Sequence, residues 1–361
     1  MNINEDIRVA ETLPASFYSN EALFSASKEK IFASGWQIVH TAESLRQKGD
    51  TLPFTLFPSF LDEPLLISRQ DNENLICMSN VCTHRGNLLI KTPGRFKNFI
   101  CDYHGRKFSL DGKFESMPEF NGAKNFPRDC DDLHRLDLVN YDPFSFISLK
   151  PEFDIRENLE ILSKYTGFMK IEQSRYAHEF SKEYLVNAHW ALYCDNYLEG
   201  FHIPFVHPEL NKILDYKSYQ SFLFNHSNLQ LGIADSASDA FILPKGHICE
   251  GQRVGAFYFW LFPNIMLNFY PWGLSLNIVN PISVKQCKVS FLTFITDEEK
   301  FASGAANLLD KVEREDEFVV ENVQRGLQSR FYSTGRFSPT REKGVHHFHL
   351  LLHEFLKPVS D

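Results

Sequence analysis

Two rhythms of apolar and polar positions alternate along this chain. Between Ser19 and Ser34 the apolar residues Leu23, Phe24, Ile31 and Phe32 fall at helical spacing, which predicts a helix. From Trp36 to about Leu149 the rhythm changes to short apolar runs, such as Thr55-Leu56-Phe57, Pro64-Leu65-Leu66-Ile67 and Asn98-Phe99-Ile100, broken by Gly, Pro, Asn and Asp. That texture predicts a small β-rich domain, with a linker near Pro151 to Arg156. Further on, Phe257-Tyr258-Phe259-Trp260-Leu261-Phe262 and Ile265-Met266-Leu267 precede the alternating Leu274, Leu276 and Ile278, which predicts adjacent strands of an antiparallel sheet with helices on both sides. Between Ala305 and Leu327, the residues Leu309, Val312, Val319, Val323 and Leu327 recur as the buried stripe of a helix. The pattern predicts an α+β chain in three parts: an N-terminal helical segment (1–35) packed on the last domain, a β-rich domain (36–150) and a mixed domain (151–361).

Composition narrows the function classes. A chain of 361 residues exceeds what one core usually organises, and its 34 Phe suit a large apolar interior or pocket. The net charge of -9, with no basic run to offset it, excludes a nucleic-acid partner. Met1 to Val9 is polar and lacks the apolar core of a secretory signal, and no apolar stretch approaches the roughly 20 residues of a membrane span, so a cytoplasmic protein with no membrane partner is expected. Seven cysteines, an odd number scattered without a disulfide framework, read as reduced thiols or metal ligands.

Two segments carry metal chemistry. In the first, Cys82-Thr83-His84-Arg85-Gly86 is followed by Cys101-Asp102-Tyr103-His104-Gly105, one Cys and one His on each of two loops. A Rieske-type [2Fe-2S] cluster needs two thiolates on one iron and two imidazoles on the other. Structural zinc uses the same residue types but usually pairs Cys with Cys and His with His. The stretch resembles the complete Rieske signature, C-x-H-R-G followed by C-x-x-H-G.

The second segment runs from Asn187 to His207. Read as a helix, it sets Asp195, Glu199 and His202 on one face, and Pro204 is expected to loosen it so that His207 turns toward His202. A mononuclear Fe(II) site that activates O₂ needs a carboxylate as third ligand. Asp316 falls on the apolar stripe of the later helix, whereas Glu313, Glu315, Glu317 and Glu321 lie roughly 60° to 140° off it and read as solvated. Asp316 is therefore the expected third ligand.

Together these segments resemble the alpha subunits of Rieske non-haem iron oxygenases over nearly the whole chain. Asp195-Asn196-Tyr197-Leu198-Glu199-Gly200-Phe201-His202 through His207 resembles the family's iron motif, and Glu315-Asp316 followed by Gln324-Arg325-Gly326 resembles its C-terminal ligand helix. The resemblance implies a β-rich Rieske domain followed by a helix-grip (START-like) catalytic domain built on an antiparallel sheet. It implies a 2Fe-2S cluster on Cys82, His84, Cys101 and His104, and mononuclear Fe(II) on His202, His207 and Asp316. It also implies a head-to-tail homotrimer in which the cluster of one subunit feeds the iron of the next through a bridging carboxylate, which maps to Glu199. Many family members have Asp there; Glu, with the phrase N-Y-L-E-G-F-H-x-P, is similar to the branch of choline, carnitine and glycine betaine monooxygenases. His189-Trp190 stands where the family often has Asn-Trp, and a packing or hydrogen-bonding role is expected for His189.

The implied activity is hydroxylation or demethylation of a small organic substrate with O₂. No G-x-G-x-x-G follows a strand, so electrons would come from a separate NAD(P)H-dependent reductase, with or without a ferredoxin. The aromatic run from Phe257 to Trp272 reads as sheet core or as a pocket wall; in the second case its faces suit a quaternary ammonium group by cation-π attraction, or an aromatic ring equally well. The competing readings are an aromatic-ring dioxygenase and a Rieske electron carrier without catalysis, although a carrier needs only about a hundred residues. His346, His347, His349 and His353 form a cluster that could suggest metal, but no cysteine or acid pattern beyond Glu342 and Glu354 completes a site, and they read as a His-rich amphipathic helix.

Overall fold

The computed structural model describes residues 2–41, 43–71 and 74–357, with 304–309 described by backbone alone. The chain forms two compact units: Ala33–Ile155, and a second made from both chain ends, Met1–Phe32 with Arg156–Asp361.

The first unit is all β. Strands β1 (Gln37–His40), β2 (Asp50–Leu56), β3 (Glu63–Arg69), β4 (Leu75–Ser79), β5 (Gly94–Arg95), β9 (Arg135–Tyr141) and β10 (Phe144–Ser148) form a seven-stranded sheet in the order β1-β10-β9-β4-β3-β2-β5. Strands β6 (Asn98–Ile100), β7 (Lys107–Ser109) and β8 (Phe114–Ser116) form a separate three-stranded sheet. Leu66, Met78, Phe99 and Phe108 pack into a core that also takes in Cys82 and Cys101. Both thiols are thus held by burial of the strands on either side of their loops.

In the second unit, Asn20 caps α1 (Glu21–Ser27) by accepting the Leu23 N–H, and a π-helical turn (Lys28–Ala33) extends it. Phe24, Ile31 and Phe32 are buried; Phe24 meets His189 and Phe32 meets Trp190. After α2 (Arg156–Thr166) come strands β11 (Arg175–Tyr176) and β12 (Lys182–Val186), then α3 (Trp190–Tyr197) and the short turns α4 (Ile203–Val206) and α5 (Leu210–Ile213). Strands β13 (Gln220–Phe224), β14 (Ser227–Ile233), β15 (Val254–Leu261), β16 (Ile265–Tyr270), β17 (Gly273–Ser283) and β18 (Gln286–Ile295) complete an eight-stranded antiparallel sheet with β11 and β12. The turn α6 (Glu298–Lys300), the long helix α7 (Ala306–Gly326) and α8 (Lys343–Leu356) close the chain.

Alternation along the strands sorts the sheet into two faces. Phe257 and Phe259 pack on Tyr165 of α2. Trp260 points the other way, against Phe348 of α8, on the side where α3 meets α7. The sheet and α7 together make the helix-grip arrangement. No helix among the described residues is long and apolar enough to cross a membrane.

The C-terminal histidines lie on α8 and fasten the start of the chain. The carbonyl of Asn4 lies 2.7 Å from His346 Nε2, and His349 Nδ1 accepts the Leu13 N–H at 3.1 Å. That leaves His349 Nε2–H to donate to Asp195 Oδ1 at 2.9 Å, while Tyr18 donates to Oδ2 at 2.7 Å.

Candidate metal centres and active site

Two loops of the first unit have the same build. In each, the Cys N–H donates to the carbonyl five residues on, Asn87 or Arg106, at 2.8 Å, and a glycine N–H returns to the Cys carbonyl, from Gly86 at 3.0 Å and from Gly105 at 2.9 Å. Both glycines have left-handed φ, 71° and 74°, a conformation that costs other residues about 1–2 kcal/mol. The repeated turn sets Cys beside Cys and His beside His: the His84 and His104 rings lie 4.8 Å apart at 77°. Burial pushes both thiols up, but backbone N–H groups of Tyr103 and His104 and the Asn87 amide hold Cys101 below its ordinary value. His104 Nδ1 is buried without a hydrogen-bond partner among the described residues. Two neighbouring sulfurs and an unsatisfied imidazole nitrogen fit a Rieske cluster, and the mixed loops do not follow the usual zinc pairing.

A buried ion pair that the sequence reading missed ties the two loops together. Arg106, enclosed by Phe108, Phe114 and Phe126, donates to Asp131 at 2.6 Å, and Thr83 donates to the Asp131 carbonyl at 2.7 Å. Burial raises the Asp131 carboxyl, yet Arg106 and the Arg128 N–H hold it below its usual value.

In the second unit the Asn187–His207 segment departs from the expected single helix. Helix α3 ends at Tyr197, and Asp195 turns to Tyr18 and His349, not toward His202. The chain breaks at Glu199 because its carboxylate accepts the N–H groups of Phe201 and, at 3.1 Å, His202, as a local side-chain cap does. Pro204 does not loosen a helix; it sits in the first turn of α4, where its missing N–H costs nothing. That single turn carries His202 at one end and His207 at the other, with ring centroids 5.0 Å apart.

Helix α7 supplies the third group, but its buried face is not the expected one. Glu313, Val320 and Gln324 are buried, whereas Val323 is 42% exposed; Leu309 lies outside the described side chains. The helix is rotated by about one residue because its inner face is polar and serves the site. Asp316 Oδ1 lies 3.0 Å from His207 Nε2 and 3.5 Å from His202 Nε2, and the three donor atoms fall within 4.8 Å of one another. Each imidazole is held from behind: Glu199 Oε1 is 2.6 Å from His202 Nδ1, and Glu315 Oε2 is 2.7 Å from His207 Nδ1. With both Nδ1–H groups donating, the two Nε2 lone pairs face a carboxylate oxygen, an arrangement that needs a cation between them. Burial would lower the His207 imidazole, but Asp316 and Glu315 lift it above its ordinary value. Two nitrogens and one carboxylate oxygen fit a mononuclear iron.

Beside these side chains opens a cavity of about 100 Å³. The sheet register lines up Gln230, Tyr258, Asn268 and Ser275 across four neighbouring strands as part of its floor. Tyr193, Tyr197, Tyr219 and Tyr270 add aromatic wall, and Glu313 projects into it from α7. Burial pushes the Glu313 carboxyl up to about 8. Most of the aromatic run is core; Tyr258 and Tyr270 are its members in this wall. The signal for the floor was present in the sequence as polar residues, Asn268, Ser275 and Asn277, at every second position of otherwise apolar strands.

His189 caps α3. Its Nδ1 accepts the Ala191 N–H at 3.2 Å, the service an Asn would perform, and its ring packs against Phe17, Tyr18 and Phe24.

Residues 35–127 match the Rieske [2Fe-2S] domain family, and residues 172–357 match the ring hydroxylating alpha subunit (catalytic domain). The chain belongs to the Rieske ring-hydroxylating oxygenases. The chloroplastic choline monooxygenase of Arabidopsis thaliana is 30% identical to it over 96% of this chain and 83% of its own length. The oxygenase subunit of carnitine monooxygenase from Escherichia coli K12 is 29% identical over 96% of this chain and 94% of its own. Among solved structures, a quaternary ammonium Rieske monooxygenase superposes with a TM-score of 0.78 at 26% identity, over 98% of this chain and 97% of that one. The oxygenase thus combines a Rieske cluster with a mononuclear iron.

Proposed function

We propose that this oxygenase is a monooxygenase that hydroxylates or demethylates a quaternary ammonium compound. One observation carries the reading: the cavity beside the His202, His207 and Asp316 triad is walled by tyrosines, whose faces attract an alkylammonium group by about 0.5–2 kcal/mol each. An aromatic hydrocarbon would leave the buried Glu313 in that wall without a partner among the described residues. The relatives named for choline and carnitine oxidation support the same substrate class.

In this reading Cys82, His84, Cys101 and His104 hold the cluster, and His202, His207 and Asp316 hold the iron. When bound, the cluster would supply single electrons and the iron a site for O₂ activation. Glu199 and Glu315 fix both imidazoles with Nε2 forward. The tyrosine wall seats the cationic head so that an N-methyl or adjacent C–H faces the triad, and the apolar core of the sheet excludes water. Glu199 also serves as the bridge, accepting a second imidazole N–H from His104 of a neighbouring copy in a homotrimer. The related quaternary ammonium monooxygenase is described with inter-subunit electron transfer, which supports that arrangement. A separate NAD(P)H-dependent reductase, with or without a ferredoxin, supplies the electrons. Seven free cysteines suit the reducing cytoplasm.

The test is product analysis. Purified oxygenase with a surrogate reductase, NADH and O₂ is offered choline, carnitine, glycine betaine and naphthalene, and products are identified by mass spectrometry. Aldehyde or demethylated amine from an ammonium compound is expected; a cis-diol from naphthalene, with the ammonium compounds untouched, would replace this reading with a ring dioxygenase.

A further inference from the structure

The charge pattern of the cavity narrows its substrate. Among the acids that line it, Glu199 is engaged by His202 and two backbone N–H groups, and Asp316 faces both imidazoles. Glu313 is only 9% exposed and makes no hydrogen bond or ion pair among the described residues. Lys182, whose field reaches it, is paired with Asp310. No Lys or Arg lines the cavity among the described residues. An acid so enclosed and so unpartnered is costly to keep as an ion until a cation enters beside it.

Gln230 adds a second observation. It is 1% exposed; its Nε2 donates to the Tyr197 carbonyl at 2.8 Å, but its Oε1 is buried without a partner among the described residues. The wall therefore holds a spare acceptor as well as a spare acid. A zwitterionic substrate would bring its own carboxylate into this surface, where it would meet Glu313 and an acceptor and find no Lys or Arg among the described residues. An ammonium compound with an alcohol or plain alkyl tail meets no such penalty, and an alcohol O–H satisfies Gln230.

We propose that the substrate is a quaternary ammonium cation that carries no carboxylate, with Glu313 as its counter-charge and specificity-determining residue. The inference rests on the reading of the site as a quaternary ammonium oxygenase. It assigns to Glu313 a role separate from holding metal: one turn before Asp316 on α7, it faces the substrate's head.

The experiment is calorimetric titration of the iron-loaded, full-length, anaerobic protein with choline, L-carnitine and glycine betaine. Choline is expected to bind about tenfold or more tightly than either zwitterion. In Glu313→Gln, choline affinity falls about tenfold or more, whereas the neutral isostere 3,3-dimethylbutan-1-ol binds as it does to the wild type, and iron content is unchanged. Zwitterions that bind as tightly as choline overturn the inference and leave the quaternary ammonium reading standing. Equal losses for choline and its neutral isostere in Glu313→Gln, or no loss for choline, also overturn it. No binding of any ammonium compound overturns both. The wild-type ranking decides the matter even where the variant fails to fold.

Discussion

Replacing His189 by Asn isolates the contribution of one buried imidazole to acid stability. The side chain is 2% exposed, and burial pushes its imidazole from 6.5 down to about 3. The unfolded chain accepts a proton near 6.5 that the folded protein refuses. The stabilising effect of keeping this group neutral is therefore complete above pH 6.5 and is lost progressively as pH falls toward 3. At about 1.36 kcal/mol per pH unit, the loss by about pH 5 is ~2 kcal/mol. Asn keeps an N-cap acceptor for the Ala191 N–H and does not titrate, although it gives up contacts with Phe17, Tyr18 and Phe24. Urea unfolding, followed through tryptophan fluorescence at about pH 7.5 and about pH 5, is the assay. The His189→Asn variant starts less stable at the higher pH and loses ~2 kcal/mol less than the wild type on acidification, so the two curves converge. Other titrating groups cancel in the difference. Parallel pH profiles for both proteins would refute the reasoning.

Glu315→Gln leaves His207 with a weaker partner at Nδ1, and iron affinity is expected to fall about 10–100-fold with the cluster's visible spectrum unchanged, as read by iron and sulfide analysis. Asp131→Asn leaves Arg106 buried without its counter-charge and destabilises the first unit by about 3–5 kcal/mol, measured as an earlier loss of cluster absorbance in urea. In the wild type, where the Asp131 carboxyl is held below 3.8, the same support disappears only as pH drops below that value. Gly86→Ala costs about 1–2 kcal/mol from its left-handed φ alone, whereas Gly105→Ala also drives a Cβ to 3.3 Å from Pro118, so thermal bleaching of the cluster comes earlier in the second variant.

What was legible in the sequence tracks how local each feature is. The Cys-His loops are local: spacing, glycine and ligand type sit within a few residues, and the turn hydrogen bonds follow from them. Asp316 stood out as an acid on an amphipathic helix, but the face assignment was off by about one residue's rotation. Hydropathy rewards Val323 and penalises Glu313, Glu317 and Gln324, and only the tertiary site explains why α7 turns its polar side inward. The same blindness hid Glu315 and Glu313. The break after Tyr197 was missed because Glu199 caps its own loop, a bond that competes with helix and leaves no periodic trace. His189 was readable only as a substitute for Asn; its capping bond needed coordinates.

The two candidate metal centres also differ in when they come into being. Cys82 to His104 belong to one continuous stretch, and the Ala33–Ile155 unit that holds them is whole before half of the chain has been made. The iron triad closes across 109 residues, from His207 to Asp316. Its unit is finished later still, when α8 arrives and Leu13 finds His349, 336 residues away. During synthesis all four side chains of the first candidate centre are made before any of the three of the second, and Asp316 is made last.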